Sequence, residues 1–193
     1  AALGLGRYVV ENGEEARLRG VVIAYDSRHM SPEFALETAR TIGALGVKVY
    51  LFESLRTTPE LSFAVRYLHA YAGVVITASH NPSAYNGFKV YGEDGAQIAS
   101  EAAETIVAHV DAIEDELTIE VADLDYLKED DMLVYLGEQI DHAYITKLQG
   151  LIVNPDVIEV MADELRIVYT PLHGTCNRPV QEALKQAGFF HVK

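Results

Sequence analysis

The sequence predicts an α/β fold: a layered mixed sheet with helices on both faces, followed by the first strand-helix unit of a second, similar domain. Three observations carry this reading. Short apolar runs alternate with helix-start signals between Val21 and Ile113. Polar loops follow the first and third of those runs. The same order of signals returns in "LRIVYTPLHGTCNRPVQEALKQAGF", from Leu165 to Phe189.

The elements follow in order. "RGVVIAYDSRH" reads as a buried strand, Val21 to Tyr25, that opens into a polar loop. Ser31-Pro32-Glu33 supplies a cap, a first-turn proline and an early acid, the marks of a helix start. Ala35, Ala39, Ile42 and Leu45 share one face of that helix, and Gly46 is placed to end it in the left-handed conformation. "VKVYLF" alternates as a second strand. Thr58-Pro59-Glu60 starts another helix, with Leu61, Ala64, Val65 and Leu68 inward. "GVVIT" is the third strand, and "GFKVYGEDGAQI" a fourth strand with a glycine-bounded turn. Ser100 is expected to cap a helix carrying Ala103, Ile106, Val107, Val110 and Ile113 on one face.

Residues 111–131 hold ten acids and one base, Lys128, and read as a solvated connector. A helix is expected from about Ile140 to Leu151. The first domain is assigned to 1–138, with an acidic connector over about 114–138, and an incomplete second domain to 139–193. The chain opens without Met and closes where a strand begins, which reads as a piece of a longer protein.

Composition narrows the classes of function. The 193 residues are 49% hydrophobic, enough for a good core. Fifteen basic residues against 29 acidic ones give a net charge of -14. Such a surface repels nucleic acid phosphates and anionic membranes, so neither is expected as a partner. No apolar run approaches the roughly 20 residues of a membrane span. The single cysteine, Cys176, fits a reducing compartment, and a cytoplasmic location is expected.

Ligands of α/β sheets gather at the carboxyl ends of strands. Two loops lie there: Asp26-Ser27-Arg28 and Thr77 to Asn86. Four readings are open for Ser79. It can sit in a plain turn, since Asn-Pro and Asn-Gly are turn signals. It can be a hydrolase nucleophile, but adjacent residues of an extended segment point apart, which places His80 badly as its base. Nor do glycines flank it, as a strained nucleophile turn requires. His80 can bind a metal, although no second His or Cys stands near it in sequence. Or Ser79 can carry a phosphoryl group, which requires an exposed but rigid hydroxyl. Pro82 restricts Asn81 to extended conformations and stiffens the loop. Lys89, ten residues on, can fold back towards Ser79, and Arg28 lies at the end of a different strand on the same sheet edge.

"TASHNP" followed by "YNGFKVY" closely resembles the phosphoserine loop of the α-D-phosphohexomutases. "YDSR", "TPELSFAV" and "YTPLHGT" resemble further segments of that family, nearest to its bacterial phosphoglucomutase/phosphopentomutase type, so the resemblance covers essentially the whole chain. It implies that Ser79 carries a phosphate and passes it to a sugar monophosphate, forming a bisphosphate that returns its other phosphate. The net reaction exchanges the 1- and 6-phosphates of a hexose, glucose first, with mannose, hexosamine or pentose phosphates as alternatives. A non-catalytic mutase-like binding module is the alternative of a different class. It would tend to lose Ser79, Lys89 and Arg28, and all three are present.

The resemblance further implies that Lys89 stands near the reacting oxygens, that His80 lies near phosphate and sugar, and that Arg28 lies close to the phosphoserine. Asn81 and Asn86 are expected to shape the loop. Mg²⁺ is the implied cofactor, with Ser79 contributing a ligand through its phosphate and the main aspartate ligands expected outside this chain. Glucose 1,6-bisphosphate is the implied activator and intermediate, and small sugar phosphates the partners. His173 is expected to be structural. Cys176 stands where the family usually has Gly, so a positive φ there would strain it; a half-buried structural thiol is expected. Without the remaining parts of such an enzyme, this piece alone is expected to be inactive.

Overall fold

The computed structural model describes residues 1–193 as two compact units, Ala1–Leu136 and Gly137–Lys193. The first unit begins with helices α1 (Ala2–Glu11) and α2 (Glu14–Arg19). Strand β1 (Val21–Tyr25), helix α3 (Ser31–Gly43), strand β2 (Val49–Phe52), helix α4 (Thr58–Tyr67) and strand β3 (Ala72–Ile76) follow. Then come β4 (Phe88–Gly92), α5 (Ser100–Asp111), a short 3-10 turn at Glu116–Thr118, α6 (Leu124–Glu129) and β5 (Leu133–Leu136).

The sheet order is β4-β3-β1-β2-β5. β1 pairs in parallel with β2 and β3, β2 in parallel with β5, and β3 antiparallel with β4. The chain moves one way from β1 to β2 and doubles back past β1 to β3. Right-handed crossovers then put α3 and α4 on opposite faces. β1 is therefore buried on both sides, which explains its unbroken apolar run. On one face Val21, Ile23 and Tyr25 join Leu5, Val9, Ala35, Ala39, Ile42 and Leu127 in the core. On the other, α4 packs on β1 and β3 with Leu61, Ala64 and Val65 buried.

The helix starts differ in detail from the expected ones. Thr57 caps α4, its hydroxyl accepting from the Glu60 N–H at 3.2 Å. Ser31 does not cap α3: it is already helical, Met30 precedes it with φ 62°, and its hydroxyl donates to Asp26 instead. Ser100 likewise lies inside α5 and makes no cap bond. Gly46 does take a left-handed φ of 70°, but beyond the end of α3. α5 packs on α1, and only its Ile106 is buried. Gly4 permits the approach, since a Cβ there would stand 2.9 Å from the Ile106 carbonyl oxygen.

The acidic segment is not a solvated connector throughout. Leu127 of α6 is 1% exposed and packs against Gly43 and the core, and β5 completes the edge of the sheet beside β2. Charge dominates the count there, yet Ala122, Leu124, Leu127, Met132 and Leu133 belong to or pack against the core, while Leu117 stays exposed.

The second unit holds α7 (Glu138–Gln149), α8 (Pro155–Met161) and α9 (Asn177–Gln186). α7 and α9 pack together, and Gln149 Nε2 donates to the Ala183 carbonyl at 3.1 Å. The strand expected near Ile167 is reduced to one parallel bridge, Ile167 to Val192. α9 begins at Asn177, two residues before Pro179, and α8 follows the turn at Asn154. No helix of the protein is long and apolar enough to cross a membrane.

Candidate functional site

β1 and β3 lie side by side with Tyr25 opposite Ile76, so their following loops leave one sheet edge together. The Asp26 N–H donates to the Ile76 carbonyl at 3.1 Å and ties the loop bases. The switch in strand order falls here, the position where α/β sheets bind ligands.

The second loop is closed by β4, whose register sets Phe88 opposite Ile76 and Lys89 opposite Val75. Thr77 N–H donates to the Gly87 carbonyl at 3.0 Å. Glycine is required at 87, because a Cβ would stand 2.7 Å from the Thr77 oxygen. Within the loop, Ser79 N–H donates to Thr77 Oγ1 at 3.0 Å, Asn81 N–H to the Ala78 carbonyl at 3.1 Å, and Tyr85 N–H to the Pro82 carbonyl at 3.0 Å.

Ser79 itself is exposed and adopts φ 56°. The expected extended geometry across Ser79-His80 is thus replaced by a turn. A left-handed residue with a side chain costs roughly 1–2 kcal/mol, so the surroundings must hold it. Lys89 Nζ donates to Ser79 Oγ at 2.5 Å, across the mouth of the β3–β4 hairpin. His80 is exposed, and the loop bonds named above run through its neighbours.

Arg28 is fully engaged in loop bonds. Its Nε donates to Asp26 Oδ2 at 3.0 Å, its Nη1 to the Pro82 and Tyr85 carbonyls at 2.6 and 3.1 Å, and its Nη2 to the Ser79 carbonyl at 2.6 Å. The side chain is 8% exposed, so it is neither a surface ion pair nor a cation open to solvent. Asn86 Nδ2 donates to Ser31 Oγ at 2.8 Å and to the His29 carbonyl at 3.3 Å. Asp26, read from the sequence only as part of a candidate loop, and Ser31, read only as a helix cap, are therefore the groups against which the loop is built. A second buried arginine, Arg56, stands at the same edge, its N–H on the Tyr25 carbonyl and its guanidinium over Phe52 and near Glu60. Nothing in residue type separates it from a surface arginine.

His173 and Cys176 belong to the second unit. Both are exposed, and Cys176 has φ −82°, so it is neither strained nor half-buried; the left-handed residue of that loop is Leu172. No group of three or more His, Cys, Asp or Glu side chains converges to hold a metal. These side chains therefore offer no ready-made ligand set for Mg²⁺.

Residues 1–117 match the family described as phosphoglucomutase/phosphomannomutase, alpha/beta/alpha domain I. Over 169 residues the chain is 43% identical to a phosphoglucomutase of Staphylococcus epidermidis, covering 88% of this chain and 30% of that protein. It is 38% identical over 192 residues to a phosphoglucomutase of Staphylococcus aureus, covering 97% of this chain and 32% of that one. Among solved structures, a Thermus thermophilus protein described as a phosphomannomutase superposes with TM-score 0.80 at 27% identity. The match covers 100% of this chain and 39% of that one. The Paramecium phosphoglucomutase parafusin shares the fold, with TM-score 0.73 at 15% identity over 99% of this chain and 39% of that one. The chain belongs to the phosphoglucomutase/phosphomannomutase family of phosphohexomutases. It spans 30% and 32% of the length of the two staphylococcal relatives.

Proposed function

We propose that this chain is the phosphoserine-bearing part of a phosphoglucomutase that interconverts glucose 1-phosphate and glucose 6-phosphate. The observation that carries the reading is the Lys89 Nζ to Ser79 Oγ contact in a loop locked by Arg28. It supplies an exposed nucleophile held still beside a cation, which in-line phosphoryl transfer needs. The choice of glucose leans on the phosphoglucomutase relatives.

In the first half-reaction the phosphorus–Oγ bond of phospho-Ser79 breaks and a bond to the sugar hydroxyl oxygen forms. Lys89 hands a proton to the departing Oγ, while the sugar hydroxyl releases one to solvent. In the second half the bisphosphate returns its other phosphoryl group. Lys89 then takes the proton back as Oγ attacks, and the released sugar hydroxyl regains one. Atoms and protons close over the cycle. Mg²⁺, bound with ligands from elsewhere in such an enzyme, would neutralise phosphoryl charge; the residues of this chain do not bind it alone.

A coupled glucose 6-phosphate assay tests the reading. A polypeptide of the relatives' full length containing this chain should turn over glucose 1-phosphate, and its Ser79→Ala variant should not. Residues 1–193 alone should show no turnover above background, since they supply neither a full Mg²⁺ ligand set nor enough surface to exclude water. Wild-type-like turnover by the Ser79→Ala variant contradicts the proposal.

A further inference from the structure

We propose that Asp26 is a positioning residue for Ser79, acting through Arg28 and Ser31 to hold the loop from both sides. The catalytic consequence rests on the phosphoserine reading above; the mechanical claim stands on geometry alone.

One carboxylate organises the whole edge. Asp26 Oδ2 accepts from Arg28 Nε at 3.0 Å, and Oδ1 accepts from the Arg28 backbone N–H at 3.0 Å and from Ser31 Oγ at 2.8 Å. The pairing fixes the plane of the guanidinium. Its remaining edges then point at the carbonyls of Ser79, Pro82 and Tyr85, which spread across the crest of the loop. A carbonyl of Ser79 aimed this way goes with the left-handed backbone at that residue. The second arm runs from Asp26 through Ser31 Oγ to Asn86 Nδ2, and Asn86 Oδ1 in turn accepts from Gly87 N–H at 3.0 Å. The carboxylate thus reaches the serine end and the return end of the loop at once.

Charge supports the same division of labour. The Asp26–Arg28 pair is largely withdrawn from water, with side chains 14% and 8% exposed. A paired arginine contributes little net field, whereas no carboxylate stands against Lys89 among its contacts. Lys89 is then the group that meets charge at Ser79 Oγ, and Arg28 is a clamp that Asp26 aims. Removing the carboxylate strands a nearly buried guanidinium, which must turn to water and release the three carbonyls.

Asp26→Asn puts an amide where one of these acceptors stood. In residues 1–193, amide hydrogen exchange at Ser79, Asn81 and Tyr85 should accelerate about tenfold or more, with Val22, Ile23 and Val74 unchanged. In the full-length enzyme, kcat should fall about 10–100-fold with KM held within about threefold, as a misplaced nucleophile predicts. Arg28→Lys should act alike, and the double variant should be no worse than either single one. Unchanged loop exchange, or additive losses in the double variant, overturns the proposal. Should Asp26→Asn unfold, Ser31→Ala decides: faster exchange at Gly87 and Tyr85 supports the second arm, and none overturns it. A wild-type enzyme without mutase activity refutes the phosphoserine reading, and the exchange data still decide the clamp.

Discussion

Lys89 Nζ and Ser79 Oγ stand 2.5 Å apart although they lie ten positions apart in the sequence. The pleat explains the meeting. β4 returns antiparallel on β3 with Lys89 opposite Val75, four residues before Ser79, and Gly87 lets the two strands close tightly at the loop base. The lysine is therefore delivered by hairpin register, and a one-residue slip would turn it to the other face of the sheet.

Lys89→Met keeps the aliphatic stem and removes the charge. In the full-length enzyme kcat should drop about 10²–10³-fold, the range for losing one proton-transfer or charge-stabilising group. Thermal unfolding of residues 1–193 should hardly change, because the terminal amine bonds only a solvent-exposed hydroxyl. Steady-state kinetics and a melting curve check both halves.

Gly87→Ala places a methyl against backbone, which cannot swing aside as a side chain can. The expected cost is about 1–3 kcal/mol in urea unfolding, the range for overpacking. The Thr77–Gly87 bond should weaken with it, seen as faster exchange of the Thr77 amide.

Leu127→Ala distinguishes a folded acidic segment from a solvated one. Leu127 is 1% exposed, and its loss should cost about 2–5 kcal/mol. A segment merely draped over the surface would show no change in the urea midpoint.

Tyr71 gives a pH dependence at the amino end of β3. Burial, a hydrogen bond with Tyr8 and the charge of Glu93 push its phenol up to about 12, against an ordinary value of 10.0. The unfolded chain loses that proton first, so the contribution is complete below pH 10 and fades as pH rises towards 12. Urea midpoints at about pH 9 and about pH 11, on either side of the ordinary phenol value, should therefore differ more for the wild type than for Tyr71→Phe.

Much of the sheet is legible in the sequence because burial on two faces leaves continuous apolar runs. β1 matches its expected bounds, and β3 lies within a residue of them. β5 and α6 are hidden because their core contacts come from a few residues in a segment whose composition is set by solvated acids. At the site, the Ser79–Lys89 approach follows from strand order and turn length, which residues 77–89 display. The clamp does not. Arg28 bonds to backbone carbonyls, which carry no residue signature, and the left-handed turn at Ser79 falls on a residue type that gives no warning of it. Ser31 shows the same difficulty from the other side: Ser-Pro-Glu looks like a cap, but a nearby carboxylate outcompetes the helix amides for its hydroxyl.

Whether Ser79 carries the phosphoryl group is read from the intact mass of the full-length protein together with peptide mapping across Thr77–Lys89. One phosphoryl group is expected on Ser79, lost on adding excess glucose and restored by glucose 1,6-bisphosphate. A Ser79 that stays unmodified and that the bisphosphate cannot charge would contradict it, and would favour a mutase fold kept for binding alone.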